Sequence, residues 1–201
     1  MASLAELMTS HGSDKGSGDH NYTSVYEKIL NHLVGKEDVN IFELGIGTNN
    51  PNLPSTMGVN GVPGASLRGW RDWFGKANIY AGDIDKNILF TEEKIKTFYV
   101  DQRSPESIKE LWSNIDEIFD VIIDDGLHEL NANYTFISNS HNKLKMGGYF
   151  IVEDLWMGSP DAVKGVELFA QACTGWFSDT KLYRLPHEYN RTNNNILVCR
   201  K

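Results

Sequence analysis

Two spacings of apolar residues alternate along this chain. Short apolar runs, bounded by Gly, Asn or acids and rich in Ile, Val, Phe and Tyr, occur at 40–47 (NIFELGIG), 77–85 (ANIYAGDID), 96–102 (KTFYVDQ), 119–125 (FDVIIDD) and 147–155 (GGYFIVEDL). They read as buried strands. Between them lie stretches with helical spacing. Val25, Ile29, Leu30 and Leu33 mark a helix over 24–34, and Leu67, Trp70 and Phe74 share one face over 65–74. Further helices are predicted at 104–115, where Ser104 and Pro105 occupy helix-starting positions, at 131–144 and at 161–173. Strands near 180–185 and 195–200 complete the pattern. Strand and helix in alternation predict βαβ units. The expected fold is α/β: a Rossmann-like, doubly wound, mostly parallel seven-stranded sheet with helices on both faces.

Acids fall where the strands end: Asp83 and Asp85 on the second, Asp101 on the third, Asp124 and Asp125 on the fourth, Glu153 and Asp154 on the fifth, with Glu43 within the first. In such sheets ligands bind beyond the carboxyl ends of the strands. The stretch 48–64 (TNNPNLPSTMGVNGVPG) breaks the pattern. Its Asn, Gly and Pro content predicts a long loop over the site, either a lid contacting substrate or an inert insertion.

The 201 residues predict one domain over 1–201, its first 34 residues a helical N-terminal segment. A net charge of −8 argues against a nucleic-acid or anionic-membrane partner and suits a protein holding a cation. No apolar run is long enough for a membrane span, and MASLAELMTS lacks a signal peptide's features. Cys173 and Cys199 have no metal-type spacing, and a reduced, cytoplasmic setting is expected.

Glu43, Gly45 and Gly47 form E-x-G-x-G after a strand, letting backbone N–H groups approach a ligand. Asn50 stands where a dinucleotide fingerprint wants its third glycine, which disfavours a nicotinamide-dependent oxidoreductase. Asp83 suits a ribose diol, with Asp85 as competitor, and Asp101-Gln102 suits an adenine edge or a helix cap. Asp125 and His128 place a carboxylate near an imidazole, and Glu153 and Asp154 should converge on them from the neighbouring strand. Three carboxylates make a hard-metal site of the magnesium type, whereas zinc wants more His or Cys. Caps and surface acids are the alternative. The two acids of the fifth strand can converge only if the strand breaks there, because successive strand residues point to opposite faces. His128 is the candidate general base. His11, His20, His32, His141 and His187 show no ligand spacing and are expected to be surface or structural.

In order, ELGIGT, SLRGWRDWF, IYAGDID, DVIIDDGLH and GGYFIVEDL resemble a class I S-adenosylmethionine-dependent methyltransferase. More narrowly the chain resembles the Mg²⁺-dependent O-methyltransferases that act on macrolide sugars, and its GSDKGSGDHNYTSVYEKIL (12–30) is similar to the N-terminal entry segment of that group. The resemblance implies that Glu43, Gly45, Gly47, Asp83, Asp101, Gln102 and Asp124 bind S-adenosylmethionine, with Lys15, Tyr22 and Tyr26 closing over it. It implies that Asp125, Glu153 and Asp154 hold Mg²⁺, with Asp125 and His128 catalytic. The macrolide enzymes' additional N-terminal domain is not in this sequence and the 48–64 loop is longer. The expected acceptor is therefore a sugar of a glycan or glycosylated natural product, with a homo-oligomer possible. A catechol-type O-methyltransferase and a non-catalytic nucleotide-binding protein are the alternatives.

Overall fold

The computed structural model describes residues 2–16, Gly18 and 20–201. Met1, and Ser17 and Asp19 of the N-terminal segment, lie outside the described residues. Eight strands form one sheet: β1 (Asn40–Leu44), β2 (Asn78–Asp83), β3 (Thr91–Glu92), β4 (Ile95–Tyr99), β5 (Phe119–Asp124), β6 (Leu144–Val152), β7 (Asp179–Arg184) and β8 (Asn195–Arg200). Their order is β3-β4-β2-β1-β5-β6-β8-β7. The central strands β4, β2, β1, β5 and β6 run parallel, while β3, and β8 against β6 and β7, are antiparallel. The expected α/β sheet is present, with eight strands rather than seven. The extra one, β3, has two residues, too few for a periodic signal.

Strand residues alternate between two cores, as the pleat requires. Ile41, Ile79, Val121, Ile123 and Ile151 pack with α1 (Leu4–His11), α2 (Thr23–Leu30) and α3 (Ala65–Phe74). Phe42, Leu44, Tyr80, Ile122, Phe150 and Val152 face the other way, onto α4 (Pro105–Ser113), α5 (Leu130–Ser140) and α6 (Pro160–Cys173). Burial on both faces explains why the strands read as unbroken apolar runs.

Local signals set the helix ends. The hydroxyls of Ser104 and Ser159 accept from Ser107 N and Ala162 N, each followed by proline at the first helical position. Ser3 and Glu6 form a reciprocal capping box that starts α1. The fifth predicted strand begins earlier than expected. β6 passes through Gly147, whose φ is 78°, and its pairing with β5 slips between Phe119 and Val121. The two glycines therefore lie within β6, and it ends at Val152, one residue before Glu153.

Candidate functional site

β1 lies between β2 and β5, and its chain crosses to opposite sides from there, so the sheet's switch point opens beyond Leu44. A cleft of about 320 Å³ opens at this point, in the size range of small-molecule sites. Gly45 turns there with φ 93°, and a Cβ on it would come within 2.0 Å of Asp125 O. Only glycine allows the two strand ends to approach this closely.

Asp83 lines the cleft, its carboxylate oxygens accepting from Ile46 N and Asp85 N at 2.8 Å. Asp85 does not line it. Its side chain is engaged by Thr48 and by Asn87, so of the two carboxylates only Asp83 lines the cleft. Asp101 and Gln102 line the same wall, and Ser104 rather than Asp101 caps α4. Gln102 Nε2 donates to both oxygens of Asp124 at 2.8 and 2.9 Å, and its Oε1 accepts from Leu127 N. Asp124 is fully buried and does not reach the cleft, and burial pushes its carboxyl up to about 7.

The N-terminal segment meets the acids from the other side. Lys15 Nζ lies 2.5 Å from both Asp125 Oδ2 and Glu153 Oε2, and 3.8 Å from Glu43 Oε1. Burial opposes charge on Lys15, but the three carboxylates outweigh it and hold the ammonium well above its ordinary pKa. One ammonium faces three acids, so burial still keeps Glu43 and Glu153 above the usual carboxylate range. Tyr26 donates to Glu153 Oε1 and Tyr22 to Asp154 Oδ1. Both tyrosines are buried and lie outside the cleft lining, so they hold acids where closure over a cofactor was expected. Glu43 is also outside the lining; it accepts from Ser66 at 2.6 Å and from the Trp70 indole, tying β1 to α3.

Asp125, His128 and Asp154 each offer a ligand atom, all within 4.8 Å of one another. β6 has ended before Asp154, which adopts φ 55°, and His128 adopts φ 61°. Left-handed backbone is uncommon outside glycine, though Asp and His adopt it more readily than most residues, and it clusters at functional sites. It turns Asp154 toward His128, while Glu153, which also lines the cleft, contacts Lys15 and Tyr26. Among the described residues the group able to hold a cation thus contains His128 where Glu153 was expected. His128 Nε2 lies 3.5 Å from Asp154 Oδ2, and its Nδ1 is buried with no hydrogen-bond partner. Two carboxylates and an imidazole suit a hard or borderline divalent ion.

One residue escapes sequence reasoning. His20, expected to be a surface or structural residue, lines the cleft, with Nδ1 3.1 Å from Asp14 Oδ2 and Nε2 3.1 Å from Asp154 Oδ1. No local spacing signals it, because Asp154 is remote in sequence. The long loop forms a wall: Pro54, Ser55, Thr56 and Met57 line the cleft, and Ser55 Oγ donates to Leu127 O at 3.0 Å. No helix of the described residues is long and apolar enough to cross a membrane.

No protein-family model matches the chain. Over 154 residues, 76% of the chain, it is 34% identical to an 8-demethyl-8-alpha-L-rhamnosyl tetracenomycin-C 2'-O-methyltransferase of Streptomyces olivaceus. It is 33% identical over 152 residues, 75% of the chain, to an L-olivosyl-oleandolide 3-O-methyltransferase of Streptomyces antibioticus. The aligned parts cover 37% and 36% of those proteins, so the chain spans well under half the length of the curated relatives it matches. Among solved structures, the MycE methyltransferase of the mycinamycin biosynthetic pathway, in complex with Mg and SAH, superimposes with a TM-score of 0.75 at 23% identity. That match covers 99% of this chain and 55% of MycE. The chain has the class I methyltransferase fold and is related by sequence to O-methyltransferases that act on the sugars of glycosylated natural products.

Proposed function

We propose that this chain is an S-adenosylmethionine-dependent, divalent-cation-assisted O-methyltransferase acting on a sugar hydroxyl of a glycan or glycosylated natural product. The observation that carries the reading is that one cleft at the switch point joins Asp83 and Asp101 to the Asp125–His128–Asp154 group. The sugar-modifying relatives support the acceptor class.

S-adenosylmethionine supplies a methyl group already activated on a sulfonium. A divalent ion, when bound, supplies a fixed charge that lowers the pKa of a sugar hydroxyl. Asp83 would accept from the ribose hydroxyls, and Leu44, Val100 and Leu127, which line the same cleft, would give an apolar surface to the adenine. Hard cations prefer oxygen, so Asp125 and Asp154 are assigned to the ion and the His128 imidazole to the proton. Nδ1 of His128 is buried, so Nε2 is the atom that takes the hydroxyl proton. The acceptor oxygen would then bond to the methyl carbon as the sulfonium–methyl bond breaks, with S-adenosylhomocysteine as the leaving group. Holding both reactants in one cleft supplies much of the acceleration.

The test is calorimetric titration of S-adenosylhomocysteine into the protein with Mg²⁺ and with chelator. It is followed by methyl transfer to a panel of deoxysugar glycosides and catechols, read by mass spectrometry. Micromolar binding and metal-dependent methylation of a glycoside support the reading. No binding in either condition overturns it, and methylation of catechols alone moves the acceptor to phenols.

A further inference from the structure

Each of the two carboxylates assigned to the cation has one oxygen occupied by the N-terminal segment. Asp125 Oδ2 takes the Lys15 ammonium at 2.5 Å. Asp154 Oδ1 takes the Tyr22 hydroxyl and has His20 Nε2 at 3.1 Å. The other oxygen of Asp154, Oδ2, faces His128. His20 is itself held on two sides. Its Nδ1 contacts Asp14 Oδ2 at 3.1 Å, and its ring stacks on Tyr22 with centroids 4.8 Å apart and planes at 9°. Its Nε2 is buried, makes no well-aligned hydrogen bond, and points at Asp154 from within the cleft wall.

We infer that His20 is a positioning residue: with Tyr22 it pins Oδ1 of Asp154, as Lys15 pins Oδ2 of Asp125, so that each carboxylate offers the cation a single oxygen. The inference rests on the cation assignment of the proposed function. A carboxylate free to rotate can chelate with both oxygens and fill two coordination positions. One held by a donor on one oxygen fills a single position and leaves the others for acceptor oxygens. Small hard cations such as Mg²⁺ are commonly held by one or two carboxylates with remaining positions open, and partners of the ligands orient them. The segment that supplies Lys15, His20 and Tyr22 thus sets the geometry of acids that lie more than a hundred residues further along the chain.

The experiment is Mn²⁺ titration, followed by electron paramagnetic resonance, of the wild-type chain and of His20→Ala, His20→Gln and Asp14→Asn. In parallel, S-adenosylhomocysteine is titrated with chelator present. His20→Ala should weaken Mn²⁺ binding about 10–100-fold and leave S-adenosylhomocysteine affinity in chelator unchanged. His20→Gln, whose amide can still donate to Asp154, should recover part of the loss. Asp14→Asn changes a half-exposed side chain, so it keeps the test alive if His20→Ala fails to fold, and it should weaken Mn²⁺ in the same direction by less. Unchanged Mn²⁺ affinity in folded variants overturns the inference, as does an equal loss of S-adenosylhomocysteine affinity. No Mn²⁺ binding by the wild type instead overturns the cation assignment itself.

Discussion

Lys15 Nζ and Glu153 Oε2 lie 2.5 Å apart and both are buried, joining the turn after α1 to the residue that follows β6. A buried charge stripped of its partner costs far more than the pair contributes. Lys15→Met leaves Glu153, Glu43 and Asp125 facing one another without a cation. It should destabilise the protein by about 3–5 kcal/mol in urea unfolding at neutral pH. Adding Glu153→Gln should restore part of that, because the amide still accepts from Tyr26. A loss below about 1 kcal/mol, the range of an exposed pair, would show that Lys15 is not the partner of these acids.

Gly45→Ala should be among the least tolerated substitutions. At φ 93°, its Cβ would meet the Asp125 carbonyl at 2.0 Å, and relief requires β1 and β5 to part at the sheet centre. Gly75 has a similar φ of 73° but nothing within 4 Å of an added Cβ. Thermal unfolding should therefore show a loss of about 1–2 kcal/mol for Gly75→Ala, from the left-handed backbone alone. Gly45→Ala should lose clearly more and should also lose S-adenosylhomocysteine binding. Equal losses would mean that the contact with Asp125 is relieved cheaply.

The strands and the helices at 65–74 and 104–115 were legible because burial on two faces makes unbroken apolar runs and because Ser-Pro starts a helix. Within the expected helical N-terminal segment, the capping box of Ser3 and Glu6, followed by Leu4 and Met8, carries the local signal that starts α1. The site was legible as acids at strand ends. Which acid faces which partner was not, because that depends on backbone breaks at His128 and Asp154. Adjacent Glu153 and Asp154 look equivalent in sequence, yet one meets Lys15 and the other His20 and His128. The buried pair Asp124 and Gln102 is a second case. Both were assigned to the cofactor, but Asp124 is sealed beneath Gln102.

That sealing gives a pH dependence. Asp124 has an ordinary pKa of 3.8 and is pushed up to about 7 by burial, with the Gly126 N–H and Gln102 amide only partly offsetting it. The folded state therefore binds the proton more tightly than the unfolded one. Its contribution to stability is full below about pH 4 and is lost as pH rises through 7, amounting to about 4 kcal/mol at pH 8. Asp124→Asn cannot ionise and keeps an oxygen to accept from Gly126 N. Unfolding free energies at pH 5 and pH 8 should fall less for Asp124→Asn than for wild type. Parallel pH profiles would show that Asp124 stays ionised in the fold.

Base and cofactor roles separate in a final pair of variants. His128 Nε2 faces Asp154 at the cleft, while Asp101, which lines the same cleft, accepts from Arg103 N at 3.0 Å. His128→Ala should lower methyl transfer about 10²–10⁴-fold, the range for a general base, with S-adenosylhomocysteine affinity unchanged. Asp101→Ala should do the reverse. It should weaken S-adenosylhomocysteine about tenfold, as loss of a charge-assisted hydrogen bond does, with turnover at saturating donor largely kept. Stability should change little, because the carboxylate is partly exposed and its partners are local. A fall in cofactor affinity for His128→Ala as large as its fall in turnover would remove the base assignment. Unchanged affinity for Asp101→Ala would move the adenine to another part of the cleft.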